Sequence, residues 1–208
     1  FKSFKRKDDD EPPKPGDGTG MVDFKGEKRS NATHQSTTDP DAKLMRKGNG
    51  QPARLSYGGH ALMENRSGLC VDLLITDATL AEHQAARQLL TRARRRKIHP
   101  KTLGADKGYH VKDFVQHLRE HKIKPHIARI DGRKTPGLDG RTSCTEGYKV
   151  SQRKRKRVEE IFGWLKTVGG MRKTRFIGEA RTQIAAYLSA AAYNLLRIAK
   201  LQSAGSAA

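Results

Sequence analysis

The stretch Arg153 to Lys166 is the most informative part of this chain and reads Arg-Lys-Arg-Lys-Arg-Val-Glu-Glu-Ile-Phe-Gly-Trp-Leu-Lys. Its large apolar residues recur at the three- and four-residue spacing of one helix face, and they are Val158, Ile161, Phe162 and Leu165. The pattern therefore predicts an amphipathic helix with five consecutive basic residues at its beginning.

Glu159 occupies a border position on this helix. It adjoins Val158 of the apolar stripe, and it is four residues from Arg155 and seven from Lys166, so all three lie along one side. A carboxylate at that border can point along the edge of a sheet while the helix stays anchored. From composition alone, the same pattern also describes a basic surface helix whose glutamates pair with nearby arginines.

The spacing of Arg155, Glu159 and Lys166 resembles the Arg-Glu-Lys part of the signature of bacterial insertion-sequence DDE transposases. The run from Phe162 to Lys166 resembles their insertion-sequence-five group. This resemblance implies that Glu159 is the third metal-binding carboxylate of that family. The sequence departs from the signature at Gln152, where the family has a tyrosine.

A second motif of the same group lies upstream. Asp106-Lys107-Gly108-Tyr109 follows the predicted short strand Thr102 to Ala105 and resembles the motif of the second carboxylate. A residue at the end of a strand is well placed for function in an open α/β sheet. Asp before Lys-Gly is also an ordinary turn-forming pattern, so the resemblance carries the assignment.

The resemblance implies a DNA transposase that cleaves strands and transfers them at the ends of an insertion element. It implies two Mg²⁺ (or Mn²⁺) ions, with Asp106 and Glu159 as catalytic residues and metal ligands. Further residues are expected to bind DNA phosphates, and they are Arg153, Lys154, Arg155, Lys156, Arg157 and Lys166.

The family's first carboxylate has no convincing match. Asp17-Gly18-Thr19 resembles its motif, but Pro15-Gly16 precedes it and no apolar strand does. Phe1-Lys2-Ser3-Phe4 resembles the segment just downstream of the first-aspartate strand. We therefore expect an N-terminally truncated catalytic domain that lacks its first aspartate and is inactive alone.

The charge agrees with a nucleic-acid partner. The chain has 208 residues, with Lys+Arg 42 against Asp+Glu 22 and a formal net charge of +20. Such an excess predicts a polyanionic partner, although a ribosomal RNA-binding protein or a membrane-surface protein would also be basic. The resemblance implies that the partner is double-stranded DNA. No apolar run is long enough to span a membrane, and two distant cysteines favour a reduced compartment. We expect a cytoplasmic, nucleoid-associated protein that forms homo-oligomers when complete.

The chain divides near residue 50. Residues 1–50 are poor in apolar side chains and predict an extended, largely disordered arm. Residues 51–208 predict the catalytic domain, with an α/β fold: a ribonuclease-H-like mixed sheet flanked by helices, without its first strand.

Several elements of that domain follow from local patterns. Leu55–Met63 and Leu69–Thr76 predict a hairpin, and Thr79 to Arg96 predicts a helix with a Thr79–Glu82 capping box. The remaining predicted elements are a helix over 111–121, a strand over 125–130, a basic loop over 131–148 and a helix over 182–201. The last helix shows an apolar face made of Ile184, Leu188, Ala191, Leu195 and Ile198.

Other interpretations stay open at this point. A basic DNA-binding remnant without catalysis has the same charge. The histidines His60, His83 and His110 could be metal ligands or bases, but such residues are more often structural. Trp164 is expected in the core rather than stacked on a base.

Overall fold

The computed structural model describes residues 4–7, 30–46 and 48–205. Its strands are β1 Phe4–Arg6, β2 His34–Ser36, β3 Lys43–Met45, β4 Arg54–Met63, β5 Cys70–Asp77, β6 Thr102–Ala105 and β7 Lys124–Ile127. Its helices are α1 Glu82–Arg95, α2 Lys112–Glu120, α3 Gly140–Ser143, α4 Glu146–Lys154, α5 Arg157–Thr167 and α6 Glu179–Gly205, with a 3-10 turn over Lys107–Tyr109. This is a mixed α/β arrangement, as predicted.

The strands form three small sheets rather than one. β1 pairs with β2, β3–β4–β5 form an antiparallel sheet, and β6 pairs with β7 in parallel. The predicted hairpin is confirmed as β4 and β5. The ribonuclease-H-like order of a single sheet stays a prediction.

Strand β5 is covered on both faces, which explains its nearly continuous apolar sequence. On one face Leu73 and Ile75 pack in a core with Ile161 and Leu165 of α5 and with α6. On the other face Leu74 packs against Ala85 and Leu89 of α1. Helices α1 and α5 are therefore anchored to opposite faces of this edge strand of the antiparallel sheet.

A separate core holds the parallel pair. Phe114, Val115 and Leu118 of α2 are fully buried with Ile127 of β7, and Leu103 of β6 packs against the same cluster. The helix predicted over 111–121 is confirmed as α2, and these three residues form its buried face. Because β6 is fixed by this core, the residues that follow it have a defined position.

The predicted start of α1 is wrong. Thr79 does not cap this helix, which begins at Glu82 with Ala81 as its N-cap and no side-chain cap. Instead, the backbone N–H and the hydroxyl of Thr79 both donate to Asp77 Oδ1. Thr79 is therefore part of the turn after β5, and the Glu82 carboxylate does not take part in a capping box.

The predicted central helix is two helices. α4 ends at Lys154 and α5 begins at Arg157. Two hydrogen bonds of the 3-10 type connect residues three apart at the junction, from Val158 N to Arg155 O and from Glu159 N to Lys156 O. The predicted loop over 131–148 is also wrong in part, because α3 and the beginning of α4 lie inside it. The strand predicted over 125–130 ends earlier, at Ile127.

The predicted apolar face of the last helix points outward. Ala186 and Tyr193 of α6 face the core, whereas Leu188 and Leu195 are 69% and 68% exposed. The helix is apolar on both sides, so its periodicity could not tell which side packs inward. Among the described residues, no helix is long and apolar enough to cross a membrane.

The predicted arm, residues 1–50, lies in part outside the described residues, as do Asp17 and its neighbours. The described part includes β1, β2 and β3, and Phe4 is buried against His34. The extended arm stays a prediction for the remaining residues.

Candidate active site

Asp106 follows β6 directly, at the carboxyl end of the parallel pair. Its carboxylate accepts a 2.8 Å hydrogen bond from the backbone N–H of Gly108 and caps the 3-10 turn. The residue is exposed. Asp106 can therefore form the turn through Oδ1 while its other carboxylate oxygen stays accessible.

Glu82 lies beside Asp106, a relation that the sequence patterns did not predict. A Cβ atom built on Gly108 would lie 3.1 Å from Asp106 Oδ1 and 3.3 Å from Glu82 Oε2. Partial burial, and then the negative charge of Asp106, raise the pKa of Glu82. Burial and the charges of both carboxylates likewise raise the pKa of the neighbouring Tyr109. Two carboxylates that repel each other in this way form a site that a cation would stabilise.

A groove runs between β4 and β6 and opens beside this pair. It has a volume of about 650 Å³ and is lined by residues 59–64 of β4 and its loop, residues 101–106 of β6, the side of α1 and the α4–α5 junction. Among the described strands, β6 pairs only with β7, and residues 57–63 of β4 pair only with β5. The backbone edges of both strands therefore face the groove without a strand between them.

The helix that carries Glu159 borders the same groove. Phe162, three residues after Glu159, lies with its Cε1 3.6 Å from the Cβ position of Gly59 on β4. Arg155, four residues before it, lies with its Cβ 3.6 Å from the Cβ position of Gly104 on β6. Glu159 itself is exposed. The close approach of the Asp106 and Glu159 carboxylates stays a prediction.

Gln152 joins this helix to the ends of the parallel strands. Its amide nitrogen donates to the carbonyls of Ala105 on β6 and His126 on β7, while its oxygen accepts a 2.9 Å bond from Arg155 Nε. The glutamine that departs from the family signature therefore holds Arg155 next to the residue that precedes Asp106. Sequence reasoning assigned it no role.

The six residues predicted to bind DNA differ in their surroundings. Arg157 donates to the carbonyls of Asn65 and Arg66 and so clamps the β4–β5 loop. Arg153, Lys156 and Lys166 are exposed, and Lys154 and Arg155 are half-buried. The basic run is therefore divided between a structural clamp and accessible cations.

The other candidates have structural partners. His60 Nε2 lies 3.0 Å from Thr76 Oγ1, and burial lowers the pKa of His60. His110 is fully buried between Thr135 and the backbone N–H of Ile130. Trp164 packs edge-to-face on Tyr193 in the β5 core, as predicted.

A comparison with protein families places most of the chain within a known family. The family described as "Transposase DDE domain" matches residues 29–195, about four-fifths of the chain, and the matched span contains both Asp106 and Glu159. Comparisons with curated proteins and with solved structures gave no match.

Proposed function

Because the chain belongs to the family of transposase DDE domains, we propose that it cuts DNA at the ends of an insertion element and joins them to a target strand. The observation that carries this proposal is the groove between β4 and β6. Asp106 lies at its mouth, and the helix that carries Glu159 forms its border. The insertion-sequence-five group is our proposal for the subfamily.

The residues at the groove fit a hard divalent cation. Asp106 and Glu82 contribute carboxylate oxygens to one small space, and Glu159 is exposed on the helix that borders the groove. Oxygen donors of this kind suit Mg²⁺ or Mn²⁺. When bound, such ions would activate an attacking oxygen and neutralise charge at the phosphate.

The chain's own carboxylates would position the divalent cations in this reaction. Asp106 and Glu159 would hold the ions beside the reacting phosphate, and Glu82 would supplement Asp106. In the first step water breaks a phosphodiester bond and leaves a 3′ hydroxyl. In the second step the oxygen of that hydroxyl forms a bond to phosphorus in the target strand, and the bond to the target's 3′ oxygen breaks.

Cations along α4, α5 and the junction between them form the DNA surface that we propose. Arg153 and Lys154 lie on α4, Lys156 in the junction and Lys166 on α5, and Arg155 is oriented by Gln152. Each phosphate that they neutralise releases counterions, which makes binding strongly salt-dependent. Arg157 is excluded from this surface because its guanidinium holds the β4–β5 loop.

The edges of β4 and β6 that face the groove have no strand partner among the described strands, and we propose that the strand carrying the family's first aspartate pairs there. Two unpaired backbone edges face each other across it, and an inserted strand would satisfy both. A strand parallel to β6 would end next to Asp106, because carboxyl ends of parallel strands share an edge of a sheet. The third carboxylate would then join Asp106 and Glu159.

Self-association is the remaining partner that we propose, through a second copy packed on α6. The exposed residues Ile184, Leu188, Ala191, Leu195 and Ile198 are separated by four, three, four and three residues. That is the repeat of a coiled-coil seam, which packs against another helix of the same kind. One apolar face of α6 already packs on the core, and α6 of a second copy would bury the other, exposed face.

Nicking of supercoiled plasmid in Mn²⁺ tests the proposed function. A designed apolar strand ending in aspartate is supplied as a fusion before the first residue, and the same strand ending in asparagine is the matched control. We expect nicking only with the aspartate strand. Glu159→Gln should lower it about 100-fold or more by removing a metal-binding charge, whereas the adjacent Glu160→Gln should leave it within about threefold.

Equal nicking by the Glu159→Gln and Glu160→Gln variants would refute the catalytic role of Glu159. Salt-dependent DNA binding without nicking in any of these proteins would favour the second candidate function, a DNA-binding remnant. Two observations support this second candidate: the groove holds no strand among the described residues, and only two of the family's three carboxylates are identified in the described part of the chain.

A further inference from the structure

The end of α2 carries a cluster that the proposed transposition chemistry does not use. It reads His117-Leu118-Arg119-Glu120-His121, so that Glu120 and His121 follow His117 by three and four positions, at the last turn of α2 and its C-cap. One ligand atom from each of the three residues lies within 4.8 Å of the others. We propose that His117, Glu120 and His121 bind a transition-metal dication, in a site separate from the carboxylates of the groove.

The hydrogen bonds of the cluster leave ligand atoms available. His121 Nδ1 lies 2.8 Å from the backbone oxygen of His117, so Nδ1–H donates and Nε2 keeps its lone pair. A carbonyl bonded to the second ring nitrogen is the usual support of a metal-binding histidine. Glu120 Oε1 accepts a 2.9 Å bond from Gln116 Nε2, which orients the carboxylate and leaves Oε2 available.

The geometry needs little adjustment. The rings of His117 and His121 have centroids 4.2 Å apart, and both residues are half-buried. Atoms that share a tetrahedral zinc ion at about 2.0–2.1 Å are roughly 3.4 Å apart. Small side-chain rotations are sufficient to close the remaining distance.

The local electrostatics act in both directions. The cluster lies at the carboxyl end of α2, where the helix dipole attracts a cation. Arg87 and Arg94 oppose a metal ion, so the affinity should be lower than that of a closed four-ligand site.

The ligand types select the metal. Two imidazoles with one carboxylate suit Zn²⁺, Co²⁺, Ni²⁺ or Cu²⁺ and do not suit Mg²⁺. Three protein ligands leave one position for water or for an outside donor. A metal there would fix the last turn of α2, whose buried residues Phe114, Val115 and Leu118 hold β6 and β7 in place.

Thermal unfolding of the full chain with ZnCl₂ tests this site, and Co²⁺ absorption identifies the ligands. The protein carries Cys144→Ser, because Cys144 is an exposed thiol that could bind metal. At a zinc concentration 100 times the dissociation constant we expect the Tm to rise by about 5–10 °C. MgCl₂ should cause no such shift, and Co²⁺ should show no thiolate charge-transfer band.

Matched variants decide whether this cluster is responsible. His117→Gln with His121→Gln should abolish the zinc shift, and Glu120→Gln should weaken zinc binding about tenfold. The double substitution His83→Gln with His99→Gln, on α1 and in the following loop, should leave the zinc-induced rise in Tm unchanged. A shift that persists in the His117/His121 variant, or no shift in the parent protein at millimolar Zn²⁺, would overturn the assignment. The isosteric Glu120→Gln variant gives an independent result if the double variant folds poorly.

Discussion

Two neighbouring carboxylates give the site its character at the scale of single residues. Asp106 is exposed at the end of β6, and Glu82 at the beginning of α1 is close enough to feel its charge. In a chain with a net charge of +20, this is a local concentration of negative charge. Such a pair is a place where burial and like charge act together, as they often do at functional sites.

Glu82→Gln should change how stability depends on pH. Partial burial and the charge of Asp106 raise the pKa of Glu82 above its usual 4.5, so the folded chain holds this proton more tightly than the unfolded chain. Stability from this group is therefore present below pH 4.5 and is lost as pH rises through the raised pKa. Urea unfolding between pH 4 and 8 should show the Glu82→Gln variant gaining on the parent as pH rises.

A matched substitution controls for the loss of one charge. Glu146 lies exposed on α4 and pairs with Lys149, and Glu146→Gln is the matched control. If Glu82→Gln and the parent differ by the same free energy at every pH, the two carboxylates are not coupled.

Gln152 should contribute measurable stability. Its amide donates to backbone carbonyls at the ends of both β6 and β7. Gln152→Ala removes these bonds and should lower the free energy of unfolding by about 1–2 kcal/mol. Urea unfolding measures this decrease, and Gln116→Ala on the exposed face of α2 is the control. A change below about 0.3 kcal/mol for Gln152→Ala would mean that the bridge does not stabilise the junction.

Sequence reasoning found Asp106 but missed Glu82 and Gln152, for a physical reason. Asp106 lies in a local motif at the end of a predicted strand, so its position could be read from neighbouring residues. Glu82 meets Asp106 only after α1 packs across the sheet. The pattern around Thr79 instead suggested a capping box, which the turn at Asp77 prevents.

At the scale of elements, the basic run combines two roles. Arg157 binds loop carbonyls, whereas Arg153, Lys154 and Lys156 make no such clamp in the described part of the chain. Substituting the latter three with alanine should weaken DNA binding across sequences. It should also reduce the slope of log affinity against log salt by roughly 0.9 for each phosphate that the variant no longer neutralises.

Arg157→Ala is the informative comparison for that experiment. It should lower the free energy of unfolding by about 1–3 kcal/mol because charge-assisted bonds to the loop are removed, with a smaller effect on the salt slope. Fluorescence anisotropy with a labelled duplex at several salt concentrations, together with urea unfolding, separates the two effects. If the triple variant keeps the parent's slope, α4 and α5 do not bind DNA.

The outer stripe of α6 supports a prediction about assembly. Leu188→Glu with Leu195→Glu places two charges on a seam that the fold does not use, so the monomer should keep its stability. Self-association, measured by sedimentation equilibrium, should weaken about tenfold or more because charges at seam positions oppose helix pairing. Ser203→Glu, near the end of the helix, is the control. An unchanged association constant would exclude this stripe as the contact between copies.

The sequence predicted α2 from an apolar face at helical spacing, and it predicted the hairpin and the short strand before Asp106 from short β-prone runs next to turn residues. It could not orient α6, since both sides of that helix are apolar. It also joined α4 and α5 into one helix, because no glycine or proline marks the junction at Arg155 and Lys156. The junction differs from a continuous α-helix in its hydrogen bonds, which are of the 3-10 type there.

The whole molecule is organised around a gap. The β3–β4–β5 sheet and the β6–β7 pair have separate cores. The groove between them is also lined by residues of α1 and of the α4–α5 junction. Asp106, Glu82 and the helix of Glu159 all lie along that groove. A strand inserted there would join two sheets into one and complete the site in the same step, which links folding to the proposed chemistry.

Anomalous diffraction from crystals of this chain soaked in MnCl₂ is the decisive test of the proposed metal site. We expect a manganese peak at the mouth of the groove, about 2.0–2.2 Å from carboxylate oxygens of Asp106 and Glu159. A structure that holds these two carboxylates on opposite sides of the β6–β7 pair, with no manganese at Asp106, would refute the proposed site.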